Sequence, residues 1–166
     1  MSIDLGQILS SLGLADDAQQ VIGYVKAQLA AFKALPLTYS RLATQQTNLV
    51  KALQGRAGVS ASDVARVQND AGRITQLRAD WAALDPQVDQ AIGNINAGSL
   101  GDLAGVAAGI VSQLRDSKAV ADELDGISSK YLSAAERAQL GSSGTFSLGV
   151  LLLLGAGAWL ILRPRR

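Results

Sequence analysis

From Ala15 to Leu35 apolar residues recur three and four apart, at Ile22, Val25, Leu29 and Phe32. That spacing lines one face of a helix. Asp16 and Asp17 stand near its start, where negative charge suits the helix dipole. Pro36 is placed to end it. Leu37 to Gln54 continues as a second helix with Leu42, Leu49 and Leu53 on one face, and Gly55 and Gly58 mark a break.

A longer pattern follows. Ser60 or Ser62 can cap the next helix. Val64, Val67, Ala71, Ile74, Leu77, Trp81, Leu84, Val88, Ile92 and Ile95 then recur at spacings of three or four. The mean repeat is about 3.5 residues, the seam of a coiled coil or long bundle helix. Val64, Val67, Ile74, Leu77, Trp81, Leu84 and Val88 are the residues expected to form an oligomer seam. Pro86 falls inside it, with Asp85 available as a fresh N-cap, so a kink or restart is expected there. Residues 94–101 read as a loop. A last body helix is expected from Asp102 to Leu140, with Val106, Ile110, Leu114, Ala121, Leu124, Ile127 and Tyr131 as its apolar stripe.

The pattern changes after residue 140. Gly141, Ser142, Ser143 and Gly144 form a short hinge, counted with Thr145 as residues 141–145. Phe146 to Leu162 then carries no charge and includes Leu151, Leu152, Leu153 and Leu154. At about 1.5 Å per residue it covers roughly 25 Å, just short of a hydrocarbon core. Phe146 and Trp159 lie near the two ends, where aromatic rings favour the headgroup level. Arg163, Arg165 and Arg166 follow and can snorkel to an interface. Residues 146–166 are therefore expected to be a single transmembrane anchor. The flanking charge, with Lys130 and Arg137 before the run, leaves its orientation open.

The expected organisation is a short amphipathic segment over 1–14, a helical body over 15–140, the hinge and the anchor. Residues 1–14 carry Asp4 as their one charge and do not read as a secretory signal. The fold class is all-α, an elongated helical bundle or coiled coil with one C-terminal transmembrane helix. Composition agrees: 48% of the 166 residues are hydrophobic but only 4% aromatic, which suits closely packed helices.

Gly101, Gly105 and Gly109 recur every fourth residue and would let another backbone approach closely. They fit either a tight crossing within the bundle or a second membrane-active segment. The chain's 13 Gln, including Gln45, Gln46, Gln54, Gln68 and Gln76, fit a solvated helix face or an amide-lined tube.

Chemistry of the usual kinds finds no residues here. There is no Cys and no His, so disulfides, thiolate ligands, cysteine nucleophiles and the serine triad are excluded. No phosphate-binding loop is present. Asp122, Glu123 and Asp125 point in different directions on a helix and read as a solvated face. Arg56, Arg66, Arg73 and Arg78 are interspersed with Asp63, Asp70 and Asp80, a pattern for ion pairing rather than for a nucleic-acid site. No catalytic residue, metal or cofactor is expected.

Two resemblances attach to these residues. The tail from Gly141 through the apolar run to Arg163 and Arg166 looks like the sorting tails of some bacterial surface proteins, which carry a signal peptide. The plan of long Gln-rich helices joined to one membrane segment is similar to bacteriophage DNA-delivery and virion membrane proteins. That likeness implies a non-enzymatic structural protein in a bacterial inner membrane or virion membrane. Its partners would be the lipid bilayer, further copies of itself, and capsid or other virion proteins. A holin- or toxin-like permeabilising protein and a tail-anchored adaptor remain alternatives.

Overall fold

The computed structural model describes residues 27–96 and 103–140, with side chains described for 27–95 and 106–140. Among them every regular element is a helix and none is a strand. The protein is all-α, a helical bundle. Helical residues 27–33 precede α1 (Leu35–Leu53), α2 (Ala61–Asn96), α3 (Leu103–Tyr131) and α4 (Ala134–Gln139).

The expected helix end at Pro36 moves by two residues. The chain turns at Ala34, whose N–H is shared between the carbonyls of Ala30 and Ala31. Pro36 then sits in the first turn of α1, where its missing N–H costs nothing. Gly55 and Gly58 end α1 as expected. Their φ angles of +73° and +80° lie in the left-handed region that glycine enters freely.

Three other boundaries need correcting. Helix α2 remains helical to Asn96, into the residues 94–101 read as a loop. It also continues through Pro86 without a restart. Asp85 is therefore an interior residue, and its carboxylate binds Lys33 instead of capping a helix. The body helix expected over 102–140 is interrupted at Leu132 and Ser133. Ser133 caps α4 with a full capping box: its hydroxyl accepts from the Glu136 N–H and the Glu136 carboxylate accepts from the Ser133 N–H.

Burial shows a common rhythm in the three long helices. Along α2 the inward positions are 63, 67, 70, 74, 77, 81, 84, 88, 91 and 95, alternating steps of four and three. Asp63, Val67, Asp70, Ile74, Leu77, Val88, Ala91 and Ile95 are buried, and Trp81 and Leu84 are half-buried. In α1 the same steps run through Leu35, Tyr39, Leu42, Gln46, Leu49 and Leu53. In α3 they run through Val106, Ile110, Gln113, Ser117, Val120, Leu124 and Ile127. This is the seven-residue repeat of coiled-coil packing.

The chain divides into two compact units. Unit 2 contains Leu35–Trp81 and the part of the chain from Gln113, so α1, the first half of α2, most of α3 and α4 lie in it. Its core holds Tyr39, Leu42, Leu49, Leu53, Val67, Ile74, Leu114, Val120 and Leu124. Unit 1 contains residues 27–34 and the described parts of 82–112. Its core holds Leu29, Phe32, Val88, Ile95, Val106 and Ile110.

Candidate functional site

Four of the seven predicted seam residues are buried within a single chain. Val67 is 0% exposed, Ile74 2%, Leu77 6% and Val88 0%. Val64 is only half-buried and Ala71 is exposed. The strict repeat gives their inward places to the neighbouring residues Asp63 and Asp70. A carboxylate at such a place needs partners, and the surrounding residues supply them in part.

Asp63 is well satisfied. Its Oδ2 accepts from Lys130 Nζ at 2.7 Å and from the Tyr131 hydroxyl at 2.6 Å. These bonds, that of Lys130 first, hold its pKa below the ordinary value. The backbone N–H of Ser60 donates to the Tyr131 oxygen at 3.3 Å. The Lys130 ammonium lies 4.9 Å from the Tyr131 ring centre, within reach of a cation–π attraction. This set of contacts ties the start of α2 to the end of α3.

Asp70 is different. It is 1% exposed, and its Oδ1 accepts from Arg73 at 2.7 Å while its Oδ2 has no partner. Burial, then the nearby Glu123 carboxylate, pushes its pKa up, against the pull of Arg73 and Arg66. Arg73 also donates to Glu123 at 2.6 Å, and Arg66 donates to the other Glu123 oxygen at 2.7 Å.

Amides complete a polar belt inside unit 2. The Gln46 side chain donates to the Val67 carbonyl at 2.9 Å, joining α1 to α2. Gln45 donates to Asp125 at 2.8 Å, and the Tyr39 hydroxyl donates to Gln113 at 2.6 Å, joining α1 to α3. Gln45, Gln46 and Gln113 are buried, so these amides are not a solvated face; Gln54, Gln68 and Gln76 are exposed and fit that description.

The three neighbouring acids serve separate partners, as their helical spacing requires. Asp122 pairs with Lys118, Glu123 with Arg66 and Arg73, and Asp125 accepts from Gln45. Among the described residues no group of acids is arranged to hold a metal ion. Arg56 pairs with Glu136 at 2.7 Å, so Arg56, Arg66 and Arg73 are all engaged by carboxylates.

In unit 1, Lys33 bridges Asp85 and Asp89 at 2.6 and 2.7 Å. Gly109 lies against Leu84: a Cβ there would come 2.8 Å from Leu84 Cδ2 and 3.1 Å from Cδ1. Its close approach is thus to α2 of the same chain. The surroundings of Gly101 and Gly105 lie outside the described residues. So do the anchor residues Phe146, Leu151, Leu152, Leu153, Leu154, Trp159, Leu162, Arg163, Arg165 and Arg166, and the hinge. No described helix is long and apolar enough to cross a membrane.

Apolar identity alone passes over Asp63, Asp70, Gln46, Gln113 and Ser117. The signal that finds them is the strict alternation of steps, which continues through these polar residues without a break. Comparison with protein families, curated proteins and solved structures gives no match.

Proposed function

We propose that this chain is a non-enzymatic structural protein whose helical body is attached to a lipid bilayer by residues 146–162. The observation that carries this reading is the uncharged run from Phe146 to Leu162, followed by Arg163, Arg165 and Arg166. The described body supports it. Several of its buried polar groups, among them Tyr39 with Gln113, Gln46 with the Val67 carbonyl and Asp63 with Lys130 and Tyr131, stitch one helix to another, in the manner of a scaffold that needs one fixed packing.

A specific version, suggested by the likeness to phage DNA-delivery and virion membrane proteins, is a virion component that bridges a membrane and aids genome entry. Association with further copies or with virion proteins would use exposed faces, because Val67, Ile74, Leu77 and Val88 are buried within one chain. The contact of Gly109 with Leu84 favours a packing role for that glycine over a permeabilising one.

Flotation with liposomes tests the proposal. The full chain should float with the vesicles and need detergent for extraction. A chain lacking residues 145–166 should stay in the dense fractions with its helical circular dichroism retained. Full flotation of the truncated chain would refute attachment through the apolar run.

A further inference from the structure

Residues 132–140 are fastened to the rest of unit 2 by few contacts. Helix α4 buries no side chain of its own. The buried apolar residues, Leu132 and Leu140, flank it on either side. A helix this short is not stable by itself. Its first turn is held by the Ser133 capping box, with the Glu136 carboxylate accepting from the Ser133 N–H at 2.7 Å and the Ser133 hydroxyl accepting from the Glu136 N–H at 3.3 Å.

Glu136 has a second task. Its Oε1 accepts from Arg56 Nη1 at 2.7 Å, and its Oε2 stands 3.5 Å from Nη2. Arg56 lies in the turn between Gly55 and Gly58, 80 residues away in sequence. One carboxylate therefore both starts α4 and docks it. At the far end, the Asn48 amide donates to the Leu140 carbonyl at 3.3 Å. The Arg56 and Glu136 side chains are 38% and 42% exposed, so salt and competing anions reach the pair. Breaking it strands no buried charge.

We infer that residues 132–140 are a releasable strap, pinned by Arg56 and Glu136, which sets the reach between the helical body and the apolar run beginning at Phe146. The inference about reach rests on the membrane reading above. With the strap docked, its last residue, Leu140, is held beside Asn48. With it released, nine residues extend the connection by up to about 30 Å. The strap is a local unit that opens while the three-helix core stays closed.

Hydrogen–deuterium exchange of the full chain in mild detergent reads this directly. Arg56→Gln should speed exchange of amides 136–140 by roughly fivefold, with tryptic cleavage after Arg137 rising in step, while α1 and residues 106–127 of α3 keep their rates. Arg56→Lys, which retains the charge, should fall between the two. Salt at about 1 M should reproduce the effect in the unaltered chain and add little to Arg56→Gln. Unchanged exchange at 136–140, or an increase shared by α1 and α3, would overturn the strap. Failure of the membrane reading would register separately, as a full chain that does not float with liposomes while the exchange contrast persists.

Discussion

The hydroxyl of Tyr39 donates to the side-chain oxygen of Gln113 across 2.6 Å, joining α1 to α3 where Tyr39 is fully buried and Gln113 is 6% exposed. Ser117 stands 3.5 Å from the same hydroxyl and donates its own proton to the Gln113 backbone carbonyl at 2.6 Å. Burial raises the Tyr39 pKa, so the phenol remains a donor through the neutral range. Gln113 and Ser117 occupy successive seam positions of α3, and Tyr39 occupies one of α1. The bond therefore fixes the register between two helices in a way that interchangeable aliphatic side chains do not.

Tyr39→Phe should cost about 1–3 kcal/mol in urea denaturation, because it leaves a buried amide oxygen without its donor. Adding Gln113→Met, which removes that oxygen at similar volume, should recover part of the loss. A neutral Tyr39→Phe, or a double variant no better than the single one, would show that the bond does not form.

Asp70 offers the opposite sign. A buried carboxylate with one unpartnered oxygen opposes folding when ionised, and Arg73 remains paired with Glu123 without it. Asp70→Asn should raise stability at neutral pH by about 1 kcal/mol. The sign with pH follows from linkage. The folded pKa lies above the ordinary 3.8, so the folded state holds its proton longer. Stability from this group is full below the ordinary value and falls as pH rises through the folded pKa. The difference between Asp70→Asn and the unaltered chain should therefore grow over that interval and then level off. Denaturation midpoints at a series of pH values test this, and a constant difference would contradict it.

Glu136 titrates the other way. Arg56 first, then the Ser133 backbone and hydroxyl, hold its pKa at about 2 against an ordinary 4.5. Its contribution is present above pH 4.5 and lost as the pH falls towards 2. In hydrogen exchange, amides 136–140 should lose protection across that window in the unaltered chain. In Glu136→Gln they should be weakly protected at every pH. Equal pH dependence in both chains would show that Glu136 does not pin α4.

Much of the helical framework was legible in the apolar spacing, since Leu42, Leu49, Val67, Ile74, Leu77, Val88 and Leu124 all carry it and all are buried. Asp63 and Asp70 were not, because an apolar neighbour, Val64 or Ala71, offered a substitute one residue away. Pro86 read as a breaker on local grounds, yet α2 runs through it, as tertiary packing permits where propensity alone would not. The Ser133 and Glu136 pair was a readable capping signal, masked by the apolar stripe that runs up to Tyr131. The link from Arg56 to Glu136 spans 80 residues and leaves no mark in local pattern.

At Leu84 the seam of α2 meets Gly109 of α3 in the same chain, and a disulfide tests this most directly, because the chain has no cysteine of its own. A Cβ at position 109 would lie 3.6 Å from Leu84 Cγ, about half an ångström beyond the sulfur-to-opposite-Cβ separation of a disulfide, a gap that a small side-chain or backbone shift closes. Replacing Leu84 also removes the methyl groups that crowd Gly109. The measurement is the mass of the oxidised Leu84→Cys/Gly109→Cys full chain under denaturing, non-reducing conditions, with a count of free thiols. Closure within one chain predicts monomer mass with both thiols consumed. A disulfide-linked dimer, or a monomer with both thiols free, would contradict it.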